Sequence, residues 1–188
     1  MDHLISEFLT KAGRFSEEEL MLLKEELQFR TVKKDEILLD KGQICASLSF
    51  VLSGAFYQYK IDTNENKNVI DLNVTNDWMI NHKSFTTQKP SEYYIKAYEE
   101  SRICLLTIES IHRLIAKSQS FLQMGKILEA SISRIDFFDN NNTPDEKYQY
   151  ILENKPEIIQ RFPQKLIASY LKITPETLSR VRNRFSKL

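Results

Sequence analysis

The stretch Pro163-Gln-Lys-Leu-Ile-Ala-Ser-Tyr-Leu171, Lys172-Ile173-Thr174, Pro175-Glu-Thr-Leu-Ser-Arg-Val-Arg-Asn-Arg-Phe-Ser-Lys187 reads as two short helices joined by a tight turn. Pro163 stands at a helix start, where a missing N–H costs little, and Leu166, Ile167, Tyr170 and Leu171 follow at helical spacing. Thr174 can cap a second helix, with Pro175 at its first position. Leu178, Val181 and Phe185 then recur at +3 and +4 and define one buried face. The other face carries Glu176, Ser179, Arg180 and Asn183, residue types that hydrogen-bond base edges or phosphates. The pattern predicts a helix-turn-helix with a recognition helix at 175–186.

The bulk properties are compatible with that reading. A chain of 188 residues, 41% hydrophobic with four Gly and five Pro, can bury a core and is neither disordered nor fibrous. No apolar run approaches the ~20 residues of a membrane span, and the first residues lack the basic start and apolar middle of a signal peptide. Cys45 and Cys104, 59 positions apart, form neither a disulfide framework nor a CxxC pair, so a reduced, cytoplasmic protein without membrane association is expected. The net charge of zero hides an asymmetry: from Thr143 onward nine Lys/Arg face five Asp/Glu, against 17 and 21 for the rest. A basic C-terminal module on an acidic body suits a polyanion partner; a merely solvated helix end is the alternative from charge alone.

Toward the N-terminus, Phe15-Ser16-Glu-Glu-Glu19-Leu20 has capping-box and staple spacing and opens a helix to about Leu27. From Gln28 to Thr107 the period changes to short β-like runs: 29–32, 36–39, 48–52, 55–61, 68–72, 93–98 and 102–106. Turn signals such as Asp40-Lys-Gly42, Ser53-Gly54 and Lys89-Pro-Ser91 separate them, which predicts a sandwich, barrel or jelly roll. In 55–61 both alternating sets contain apolar residues, so no single buried face stands out. A helix at 108–116 precedes a longer one at 120–138. There Phe121, Met124, Leu128, Ser131, Ile135 and Phe138 step by +3 and +4 as a heptad seam, with Leu122, Ile127 and Ile132 as a second apolar edge. Either one edge packs on the β-domain and the other on a second copy, or both face the chain's own domain; the seam is taken as the dimer interface. Asp139–Asn142 is the clearest linker. Thr143-Pro-Asp-Glu146 then starts a new helix.

The order β-roll, long helix, hinge, helix-turn-helix resembles the Crp/Fnr family of bacterial transcription regulators across nearly the whole chain. Ile167-Ala-Ser-Tyr-Leu171 and Ile173-Thr-Pro-Glu-Thr-Leu-Ser-Arg180 look like its helix-turn-helix in the form common in Bacteroidetes-type members. Glu176-x-x-Ser179-Arg180 matches its base-reading motif. Val51-Leu-Ser-Gly54 resembles the strand–turn before its ligand pocket, and Lys89-Pro-Ser91 the loop before the last roll strands. The resemblance implies an α+β chain. Residues 1–117 would form a jelly-roll-like double-stranded β-helix of the cyclic-nucleotide-binding kind, 118–139 a dimerisation helix and hinge, and 140–188 a helix-turn-helix domain. It implies a homodimer on near-palindromic double-stranded DNA, no catalysis and no cofactor. RNA polymerase and an unidentified small-molecule effector are its further implied partners. Glu176, Ser179 and Arg180 would read bases; Thr174, Gln164, Arg182, Asn183, Arg184 and Lys187 would add further DNA contacts, chiefly to phosphate.

Several positions depart from the family pattern. The stretch Asp77–Glu92 lacks its Gly-Glu and Arg-Ser/Thr pairs: no Gly lies between Gly54 and Gly125, and no Arg between Arg30 and Arg102. The effector is therefore not expected to be cAMP. Trp78, His82, Lys83, Phe85, Tyr93 and Tyr94 are candidates to line a different pocket, with core packing as the alternative. The cysteine spacing offers no iron–sulfur cluster. Lys172 holds the turn position often given to Gly, at a cost of about 1 kcal/mol. No wing is expected after the recognition helix. Two other classes were weighed: a ligand- or protein-binding β-roll with a weak or vestigial DNA module, and a cupin-like metalloenzyme. For the latter, His3, His82 and His112 give no ligand spacing.

Overall fold

The computed structural model describes residues 13–140 and 142–186; His3 and Lys187 lie outside them. Helix α1 (Glu17–Glu26) begins at the predicted capping box, in which Ser16 Oγ accepts from the Glu19 N–H and Glu19 accepts from the Ser16 N–H. Eight strands follow: β1 (Gln28–Val32), β2 (Ile37–Leu39), β3 (Ser47–Ser53), β4 (Ala55–Ile61), β5 (Lys67–Val74), β6 (Trp78–Met79), β7 (Tyr94–Ala97) and β8 (Ser101–Thr107). They form two four-stranded antiparallel sheets, ordered β1-β8-β3-β6 and β2-β7-β4-β5. The two-residue β6 is too short for alternation to reveal, and only its pairing with Ser49 and Phe50 makes it a strand.

Gly54 allows the β3–β4 turn. Its φ is +100°, and an added Cβ would sit 2.1 Å from Ser101 Oγ and 2.8 Å from Ser101 Cα. That hydroxyl accepts from the Ala55 N–H and donates to the Glu99 carbonyl, so the tight approach ties two turns together.

Strand β4 is buried on both sides, which is why its alternation is ambiguous. Phe56 points into the core between the sheets, whereas Ala55, Tyr57 and Tyr59 belong to a second core formed with the C-terminal helices. Helix α2 (His82–Thr87), capped by Asn81, bridges β6 and β7. Helix α3 (Ile108–Lys117) leads into a 3-10 turn at Gln119–Met124 and then α4 (Gly125–Asp139). The predicted single helix at 120–138 thus divides at Gly125, the residue of poorest helix propensity after Pro.

The heptad seam is corrected by the packing. Phe121, Met124, Ser131 and Phe138 are buried within the chain itself, and Leu128 and Ile135 are half-buried. Phe121 and Met124 close the inter-sheet core, and Phe138 enters the second core. Phe121, Met124, Ser131 and Phe138 therefore offer no free surface to a second copy. Of the second edge, Ile127 is buried in the inter-sheet core, whereas Leu122 is 61% exposed and Ile132 38%. The predicted linker is held as well, because Lys147 Nζ donates to the Phe138 carbonyl and Asn142 Nδ2 to that of Phe137.

Four helices complete the chain: α5 (Pro144–Asn154), α6 (Glu157–Arg161), α7 (Gln164–Tyr170) and α8 (Pro175–Phe185). Tyr148, Ile151, Ile158, Ile167, Leu178 and Val181 pack around Phe138 and on the outer face of the second sheet.

Candidate nucleic-acid interface

Helix α8 is laid down by local rules. Thr174 Oγ1 accepts from the Thr177 N–H, Pro175 occupies the first turn, and Leu178 and Val181 are buried against the neighbouring helices. This rotation turns Glu176, Ser179, Arg180 and Asn183 to solvent. Glu176 is held below the usual carboxylate range by its own backbone N–H, the Thr174 hydroxyl and Arg180. It is therefore ionised at neutral pH, as an acceptor facing cytosine N4 requires. Gln164, exposed at the start of α7, joins Ser179, Arg182 and Asn183 around a surface groove of about 450 Å³ floored by Tyr148 and Leu152. Arg184 is instead engaged by Asp145 of α5, so a phosphate would have to compete with that carboxylate. The structure thus brings the predicted reading residues onto one face.

The turn before α8 serves a second purpose that residue patterns missed. Lys172 adopts φ +57°, the left-handed conformation a Gly would take without strain. Its Nζ donates to the Val69 carbonyl at 2.8 Å and lies 3.5 Å from Asp139. Ser169 Oγ accepts from the Val69 N–H at 2.9 Å. Strand β5 is an edge of its sheet, so Ser169 and Lys172 satisfy the edge groups of Val69 that another strand would otherwise pair. A glycine could not make the ammonium contact.

Three ion pairs join the C-terminal helices or α4 to the roll. Arg134 Nε donates to Asp71 Oδ1 at 3.0 Å, and Nη2 to Oδ2, with Asp71 fully buried. Lys155 Nζ meets Asp77 Oδ2 at 2.7 Å, and Arg161 pairs with Glu99. Burial pushes the Asp71 carboxyl up, but Arg134 and Lys155 beside it pull it further down, leaving it below the usual range. None of these pairs has a local sequence signature: partners lie 62 to 78 positions apart.

The candidate effector pocket does not assemble. Trp78 packs edge-on against Phe50, and Phe85 lies in the inter-sheet core. Tyr94 stacks on Tyr59, ring centroids 4.9 Å apart, in the second core. His82 is half-buried, and burial lowers its pKa. Only Lys83 and Tyr93 share a groove, with Asn81, Ser84 and Ser91, of about 360 Å³. Its polar atoms already bond one another: Asn81 Nδ2 to Ser91 Oγ, Ser84 Oγ to the Lys89 carbonyl, Ser91 Oγ to the Tyr93 carbonyl. Lys83 is exposed and paired with Glu92. No guanidinium lines that groove, and Lys83 and Lys89 are the charged donors it offers a cyclic phosphate. Inside the roll, Gln58 Nε2 likewise donates to Asn73 Oδ1 and the Ile80 carbonyl.

Among the described residues no cluster of His, Cys, Asp or Glu could hold a metal ion. Both cysteines are buried, and burial pushes the Cys104 thiol up to about 12, which disfavours thiolate chemistry. Among the described residues no helix is long and apolar enough to cross a membrane.

Comparison with known proteins finds this fold in solved structures and one family model over part of the chain. Among curated protein sequences none matches the chain. FixK2 from Bradyrhizobium japonicum is similar in structure, with TM-score 0.71, 14% identity and coverage of 86% of this chain and 85% of that one. The catabolite activator protein of Thermus thermophilus gives TM-score 0.57, 15% identity and coverage of 92% and 84%. The c-di-GMP responsive global regulator CLP of Xanthomonas campestris gives TM-score 0.61, 14% identity and coverage of 92% of both chains. At these identities the likeness is one of fold. Residues 29–118 match the family model described as the cyclic nucleotide-binding domain, and the chain shares its fold with these structures over most of its length.

Proposed function

We propose that this chain is a sequence-specific, homodimeric DNA-binding regulator of the Crp/Fnr type, a binding protein rather than an enzyme. The observation that carries the reading is the outer face of α8: Glu176, Ser179, Arg180 and Asn183 project to solvent from a helix whose other side is buried. Arg180 suits bidentate donation to guanine O6 and N7, Glu176 acceptance from cytosine N4, and Ser179 either base type. Gln164 and Arg182 flank them at the groove and suit phosphates.

One helix reads too few base pairs for useful specificity, so a second copy is part of the proposal. Its interface is assigned to the exposed apolar residues Leu122, in the 3-10 turn, and Ile132, in α4. Leu122 borders a nearly wholly apolar groove of about 190 Å³ with Ile111, Ile115 and Leu128. Two recognition helices would then meet successive major grooves about 34 Å apart. An effector other than cAMP belongs to this reading, because the stretch that would hold the phosphate lacks arginine and several of its polar groups bond one another.

Selection of random duplexes by the purified protein tests this. A near-palindrome with half-sites one helical turn apart should be enriched, and log K should fall linearly with log salt. Enrichment of nothing above background would end the assignment.

A further inference from the structure

Where the roll, α4 and the C-terminal helices meet there is a cavity of about 360 Å³, in the size range of small-molecule sites. One wall is apolar, formed by Trp78, Ile127 and Ala130. The other carries Ser131, Arg134 and Lys155. Ser131 is 2% exposed, and its hydroxyl is buried without a hydrogen-bond partner. A buried orphan hydroxyl costs about 1–3 kcal/mol, so something beyond the protein's own groups is expected to meet it.

The neighbouring polar atoms define what that something is. Arg134 uses Nε and Nη2 on Asp71, which leaves Nη1 without a partner among the described residues. Lys155 donates to Asp77 and to the Leu72 carbonyl, which leaves one of its three N–H bonds unused. Three of the carboxylate oxygens nearby are already engaged. Asp71 Oδ1 also accepts from the Leu72 N–H and Oδ2 from Asn73 Nδ2, while Asp77 Oδ2 also accepts from the Val74 N–H. Ser131, Arg134 and Lys155 thus leave donors for an occupant, beside the Asp77 carboxylate and the Asn76 and Asn154 amides that also line the cavity. Burial and the Arg134 charge lower the Lys155 pKa, and Asp77 and Asp71 partly offset them.

We propose that this cavity binds a small organic carboxylate, its apolar body against Trp78, Ile127 and Ala130 and its carboxylate on Ser131, Arg134 and Lys155. The site is separate from the self-bonded groove at Asn81–Tyr93. Because α4, the β5–β6 turn and the end of α5 all line it, its occupant touches the roll and the C-terminal helices together. Binding stands independently of DNA recognition; only an effect of binding on DNA affinity rests on the function proposed above.

Trp78 is the chain's single tryptophan, so its emission reports on this wall alone. The full-length protein, without DNA, is titrated with benzoate, phenylacetate and hexanoate, and in parallel with benzyl alcohol and inorganic phosphate. The expected result is a saturable change in emission below about 10 mM for at least one carboxylate, with little response to the alcohol or to phosphate. Ser131→Ala, which keeps the fold and removes the hydroxyl, should weaken that response about tenfold. Ser131→Leu, which fills the cavity, should abolish it. No saturable response to any of the three carboxylates would overturn the proposal. So would equal responses to benzoate and benzyl alcohol, equal responses to benzoate and phosphate, or an unchanged titration in Ser131→Ala; a site holding only structural water would give the first of these.

Discussion

The inner and outer faces of the C-terminal helices are made from the same short segments and follow opposite rules. On the inner face most polar groups are matched, the buried Tyr170 hydroxyl excepted. Ser169 and Lys172 bind the edge of β5, Lys155 meets Asp77, and Arg161 meets Glu99. On the outer face Ser179, Arg180 and Asn183 have side chains without a hydrogen bond or ion pair among the described residues. Matched polar groups at a desolvated joint hold a conformation, because leaving any one alone is costly. Unmatched ones on a solvent-facing helix cost nothing until a partner arrives. The contrast supports the proposal of a mechanical joint on the inner face and a DNA reader on the outer one, a distinction that residue type alone does not make.

The joint should break most severely at Arg134. Arg134→Ala would leave Asp71 charged and buried, and removing one partner of such a pair typically costs about 3–5 kcal/mol. Urea unfolding measures this; a loss below about 1 kcal/mol would mean that the pair does not hold the joint. The same carboxylate gives a pH signature. Its folded-state pKa lies below the unfolded one, so its stabilising contribution is complete above about pH 4 and is lost as pH falls through the folded value. Stability measured between neutral and acid pH should fall more steeply in the wild type than in Asp71→Asn.

Next in size is the reader. Arg180→Ala should remove about 1–3 kcal/mol of discrimination at a single base-pair position while leaving stability within about 0.5 kcal/mol. Quantitative binding to matched and single-substituted duplexes separates the two effects. A uniform loss across all sequences would reassign Arg180 to phosphate. Leu122→Glu tests the assembly that gives the reader its second half. Sedimentation equilibrium should show a tenfold or greater rise in dimer dissociation constant, about 1.4 kcal/mol or more. A dimer unaffected by this change would locate the interface elsewhere.

The smallest effect belongs to the turn. Lys172→Gly relieves about 1 kcal/mol of left-handed strain and removes the ammonium's hydrogen bond to Val69, itself worth about 1–2 kcal/mol, so net stability should shift little. Amide exchange along β5 should nonetheless accelerate, since the joint loosens even where the fold does not. Unchanged exchange would show that Ser169 alone seals the edge.

Sequence alone determined the local elements. Caps at Ser16, Thr143 and Thr174, first-turn prolines at 144 and 175, and the glycine-bearing turn at 54 are short-range chemistry, and all stand where their patterns put them. The polar row of α8 was legible for the same reason: burying Leu178 and Val181 leaves one rotation of the helix. What only the tertiary structure decided is which surface each stripe meets. A heptad seam states that Phe121, Met124, Ser131 and Phe138 share a face, but apolar burial is non-directional, and the roll satisfies that face as well as a second copy would. Strand β4 hides its alternation because two cores claim its two sides. Lys172 looks like a flaw in the turn until Val69, 103 positions away, supplies the carbonyl it serves. Ion pairs and cavities between distant segments have no period and no spacing, so only the folded chain discloses them.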